Sequence, residues 1–95
     1  MTSEQFKNAV SQSSPPKELT ELQLALWYAA KGEWDSAHDF AQQHEGHKDF
    51  DRLHAYLHRL EGDEWNANYW YRRAGTIMPD VSIPEELEML IEQWV

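Results

Sequence analysis

Apolar residues recur along most of this chain at intervals of three and four, the period of one face of an α-helix, and no stretch alternates as a half-buried strand would. Leu19, Leu22, Leu26, Ala29 and Ala30 share such a face ahead of Gly32, where a left-handed cap is least costly. Pro16, with Ser14 ahead of it, sets the expected start of this helix, because proline is tolerated in a first turn. Ala37, Phe40, Ala41 and His44 mark a second helix from about Glu33 to near Gly46. Phe50, Leu53, Leu57 and Leu60 mark a third, with Asp49 as its expected cap and Gly62 at its end. A fourth opens at Asp63 and places Ala67, Trp70, Tyr71, Ala74 and Ile77 on one face, with Gly75 and Pro79 at its exit. Ser82 and Glu85 then form a capping-box pattern containing Pro84, ahead of Leu87, Leu90, Ile91 and Trp94. The expected architecture is all-α, with five helices forming one domain over residues 17–95. Residues 1–16 end in SQSSPP and are expected to be a flexible N-terminal arm, in which Phe6, Ala9 and Val10 support at most a turn or two of helix.

Sliding the chain against itself by 30 residues aligns Ala25 with Ala55, Gly32 with Gly62, Glu33 with Asp63, Ala37 with Ala67 and Phe40 with Trp70. Small residues let two helices approach closely, glycine turns the corner, and a large aromatic fills the space beside them. Each half reads as a helical hairpin that cannot bury its apolar face alone, so the two are expected to stack, with the C-terminal helix as a lid. The pattern G-x-W-x-x-A or G-D-x-x-x-A followed by an aromatic, over residues 18 to 76, resembles tetratricopeptide or Sel1-like helical hairpins, although its period is shorter than theirs. The phrases LALWYAAKGEWDSAH and HAYLHRLEGDEWNANYWYRRAG resemble a group of small uncharacterised bacterial proteins. That resemblance implies a short helical stack in a bacterial cytoplasm and brings no activity with it.

Five tryptophans in 95 residues supply large areas to bury, which helps a small helical core outweigh the entropy of ordering it. The 8 basic and 17 acidic residues leave a net charge of −9, a field that repels phosphate backbones and anionic lipid, so neither nucleic acid nor a membrane is expected as a partner. With no cysteine there is no disulfide, thiol nucleophile or thiolate metal site, and the composition suits a reducing cytoplasm. No N-terminal signal peptide and no apolar run of membrane-spanning length is read in the chain. A Gly-rich phosphate loop and a nucleophile elbow are likewise missing, so the chain is not expected to be an enzyme or to carry a cofactor.

Three groups of residues offer chemistry. His54 and His58 lie one helical turn apart with Glu61 nearby, the spacing at which two imidazoles share a metal. The order H-A-Y-L-H lacks the glutamate of a zincin, so there is no sign of a metalloprotease base, and the pair reads first as boundary side chains bonded to Glu61 or to the next helix, with no metal expected. This group would carry an alternative function, a small-molecule or metal site on His54, His58 and Glu61. Trp65, Tyr69, Arg72 and Arg73 gather aromatic and cationic side chains on the outer side of the fourth helix, where they could bind a carboxylate or anionic peptide, or else pair with the abundant acids. Leu24, Trp27 and Tyr28 give the first helix a second apolar face, to be covered by the arm, by the second hairpin, or by a partner such as a second copy in a homodimer. Glu85, Glu86, Glu88 and Glu92 are expected to form a solvated face. The leading expectation is a non-enzymatic protein-interaction module that holds a peptide along the concave side of the hairpins and the Trp65, Tyr69, Arg72, Arg73 patch.

Overall fold

Four of the helices begin where a side chain satisfies otherwise unpaired first-turn amides. The computed structural model describes all 95 residues and contains six helices and no strand: α1 (Ser3–Val10), α2 (Glu21–Lys31), α3 (Trp34–Gln43), α4 (Lys48–Leu60), α5 (Glu64–Arg73) and α6 (Ile83–Trp94). At Thr20 the hydroxyl accepts from Gln23 N–H at 3.2 Å while Thr20 N–H donates to Gln23 Oε1 at 3.1 Å. This reciprocal capping box, rather than Pro16, sets the start of α2. The same device opens α1 at Thr2 and Gln5, and α6 at Ser82 and Glu85, as expected for the last helix. Asp63 caps α5 by accepting from Asn66 N–H at 3.2 Å. Asp49 does not cap α4; the cap position is His47, and Asp49 lies in the first turn. No helix is long and apolar enough to cross a membrane.

The 30-residue offset survives as backbone geometry. Gly32 and Gly62 take φ of +85° and +86°, the left-handed region that disfavours a Cβ. After each glycine, the next amide closes on a carbonyl five residues back, Glu33 on Tyr28 and Asp63 on His58, both at 2.9 Å. Ala25, Ala37, Ala55 and Ala67 are all fully buried where α2 meets α3 and α4 meets α5. α5 stops at Arg73, so Ile77, expected on its buried face, is 78% exposed.

The N-terminal segment is the main departure. Phe6 is fully buried and Ala9 nearly so, within the same core as Leu26, Trp27, Leu53, Leu57 and Leu90. The Trp27 indole donates to the Ala9 carbonyl at 2.9 Å, and the Lys31 ammonium donates to the carbonyls of Val10 and Gln12. These bonds satisfy C-terminal carbonyls of α1 and hold it on α2, so residues 3–10 are a docked helix rather than part of a flexible arm.

α6 packs against α1, α2 and α4, burying Leu90 and Ile91. Glu86 departs furthest from its expected solvated position. It is fully buried, where it accepts from Arg52 Nη1 at 2.5 Å, Arg59 Nη1 at 2.8 Å and the Tyr71 hydroxyl at 2.6 Å. Arg59 also donates to the Val81 carbonyl, so one carboxylate ties α6 and its approach to both α4 and α5. Its bonds push the Arg59 guanidinium above its usual range, and burial followed by the Glu86 bond raises the Tyr71 phenol.

Candidate functional site

α5 packs along α4 and reaches α6 through the Tyr71–Glu86 bond, and α3 flanks α4 along another side, which leaves a strip of histidine and aromatic side chains running across α3, α4 and α5 at the edge of the apolar core. On α4, His54 and His58 stand one turn apart and therefore emerge on the same face. On α3, Trp34 and His38 have the same spacing, and the Trp34 indole donates to the Leu57 carbonyl of α4 at 2.7 Å. That bond pins the start of α3 to the second half of α4 and carries His38 onto the α4 imidazoles. His38 Nε2 and His54 Nε2 lie 3.0 Å apart, and the three imidazole rings have centroid separations of 4.6, 4.9 and 5.4 Å.

Aromatic rings close this cluster on two sides. Trp34 stacks on His38 with centroids 4.5 Å apart and planes at 13°, and Trp70 of α5 stacks on His54 at 3.8 Å and 16°. Burial, reinforced by His38, His58 and Arg73, holds the His54 imidazole down at about 3, and burial followed by His58 lowers His38. Both shifts favour the neutral form of these rings. His54 Nδ1 and His58 Nδ1 are buried without a hydrogen-bond partner. The expected bond from this pair to Glu61 is not formed at bonding distance, since the carboxylate lies 3.6 Å from His58 Nδ1.

The aromatic and cationic patch begins at the same Trp70. The Arg73 guanidinium sits 5.0 Å from the Trp70 ring centre and 5.9 Å from that of Tyr69, and donates to the Tyr69 hydroxyl at 3.2 Å. Tyr69 and Trp65 lie nearly parallel, with centroids 6.5 Å apart and planes at 10°. Trp65 is 75% exposed and Tyr69 38%. Arg72 is exposed, and neither it nor Arg73 enters a close ion pair, although Asp51 and Glu45 act on Arg73 from further off. Trp70 thus links two groups that the sequence presented separately.

Leu24, Trp27 and Tyr28 are not brought into any outer site. Trp27 is 1% exposed beneath α1, Leu24 is half-buried, and Tyr28 is half-buried against Trp27 and Phe40, with ring centroids 5.1 and 6.1 Å away. Trp27 and Tyr28 are thus covered from within the chain, by α1 and α3, the intramolecular alternative among those expected. The residue that sequence reasoning missed is His38. Its partners are 16 and 20 residues away on another helix, and only the Trp34–His38 spacing, matching that of His54–His58, hinted at it. No family model, curated protein or solved structure matches this chain.

Proposed function

We propose that this chain is a non-enzymatic interaction module that holds an acidic peptide of another protein on the outer face of α5, around Trp65, Tyr69, Arg72 and Arg73. The single observation that carries the reading is Trp65, 75% exposed and nearly parallel to Tyr69, beside two arginines without ion-pair partners. Tryptophan, tyrosine and arginine dominate binding energy at protein interfaces, because they bury large areas at small entropic cost and their polar ends fix orientation. Arg73 is already held on the Tyr69 hydroxyl, so little of its rotamer freedom remains to be lost on binding. In a chain of net charge −9, two adjacent guanidinium groups outside any close ion pair favour a carboxylate-rich segment, which they can grip with bidentate bonds. In this reading the α2–α3 and α4–α5 hairpins form a short tetratricopeptide-like stack in the bacterial cytoplasm. Because α6 occupies the side lined by α2 and α4, the peptide takes the α5 face.

Panning a displayed library of random peptides against the immobilised protein tests this directly. Enrichment of Asp- and Glu-rich sequences, lost when Trp65→Ala and Arg73→Ala are combined, is the expected result. Enrichment without acidic bias, or retention by the double variant with its helical circular dichroism intact, contradicts it.

A further inference from the structure

Beyond the peptide face, the geometry points to a divalent transition-metal site, with zinc as the natural occupant, formed by His38 of α3 together with His54 and His58 of α4. One nitrogen from each imidazole lies within 4.8 Å of one from each of the others, and the closest two are 3.0 Å apart. Three nitrogens each about 2.0–2.1 Å from a tetrahedral zinc lie about 3.3–3.4 Å from one another. The His38–His54 pair needs to open by only a few tenths of an ångström, and His58 to close by a rotamer adjustment of the size side chains make on binding.

The donor chemistry favours a cation over solvent. An imidazole ligates through a ring-nitrogen lone pair, and three such rings meet here. Only one contact among them is at hydrogen-bond distance, between His38 and His54. Two further ring nitrogens, His54 Nδ1 and His58 Nδ1, are buried with no partner. A metal ion supplies the electron acceptor that the cluster lacks, and neutral imidazole is the form that ligates. Imidazole donors suit zinc, copper and nickel rather than the oxygen-seeking calcium or magnesium. Trp34 and Trp70 fix the planes of His38 and His54, so two of the three ligands are held in place before metal arrives. Glu61, 3.6 Å from His58 Nδ1, stands where an acceptor would orient that ring once it rotates. Three protein ligands leave the fourth position to water or to a side chain of a bound partner. His44 and His47 take no part: His44 meets the Glu21 carboxylate at 2.6 Å, and both pack on Phe50.

Titration of the tag-free, chelator-stripped full chain with zinc, followed by competition against a chromophoric chelator, tests the site. One equivalent is expected to bind, quenching or shifting tryptophan emission and raising Tm. Cobalt in its place should give the intense visible absorption of a tetrahedral ion. His38→Gln and His58→Gln, both at half-buried positions, should each weaken binding at least about tenfold while keeping the helical spectrum, whereas His44→Gln combined with His47→Gln should leave it unchanged. Absence of saturable binding, or equal affinity in His38→Gln, overturns the assignment, as does loss of binding in the His44 and His47 double variant alone.

Discussion

Glu86 shows how far a single side chain can depart from the habits of its type. It stands three residues after Ile83 and four before Leu90, squarely within the apolar stripe of α6, yet its charge suggests a solvated position beside Glu85 and Glu88. What makes burial tolerable is that both carboxylate oxygens accept bonds, from Arg52, Arg59 and Tyr71. Arg52 and Arg59 are two of only eight basic residues and lie two turns apart on one helix, a signal that becomes legible only when the stripe position is given more weight than the charge. Removing one partner strands the others: Glu86→Ala should cost about 3–5 kcal/mol in urea unfolding, because two largely buried arginines are left without a counter-charge. Glu86→Gln keeps the volume but only one accepting oxygen and no charge, so it should also destabilise the protein. A loss below about 1 kcal/mol for Glu86→Ala would mean that the carboxylate is solvated in solution. His38 is illegible for the opposite reason: its residue type fits a metal site, but no local pattern announces that α3 will deliver it to α4.

At the level of elements, the corners are the most readable feature. Glycine at positive φ is demanded by backbone sterics whatever the tertiary context, so Gly32 and Gly62 mark true helix ends. Starts are harder to read where a proline draws attention from the threonine that caps. T-E-L-Q at Thr20 and T-S-E-Q at Thr2 both carry the capping-box spacing, and the second opens a helix that the downstream prolines disguise as an arm. The three serines and two prolines between Ser11 and Pro16 do break the chain, but they break it between two helices rather than between a tail and a domain. Phe6→Ala should accordingly destabilise the protein by about 3–5 kcal/mol, as for an aromatic removed from a closed core, and it should loosen Trp27, whose emission would shift to the red. A flexible segment would give a change within about 0.5 kcal/mol and leave Trp27 unaffected.

Taken as a whole, the molecule divides its apolar and polar chemistry between two sides. α1 and α6 close over α2 and α4, so the interior is shared by five of the six helices, while α5 is held on α4 around Ala55, Ala67, Trp70 and Tyr71. The strip over α3, α4 and α5 is left with histidines, exposed aromatic rings and unpaired arginines, a mixture that a core would reject and a binding face can use. The five tryptophans report on both sides. Trp27 is buried under α1 and Trp94 packs beside the core, whereas Trp34 and Trp70 flank the imidazoles and Trp65 lies open to solvent. The most direct test is a two-dimensional NMR spectrum of the indole N–H groups, recorded as an acidic peptide recovered by panning, and separately zinc, is added. The peptide should move Trp65, zinc should move Trp34 and Trp70, and Trp27 should stay in place throughout. Shifts confined to Trp27 and Trp94, with the three outer indoles unmoved, would contradict the division of the molecule into an inner core and an outer binding strip.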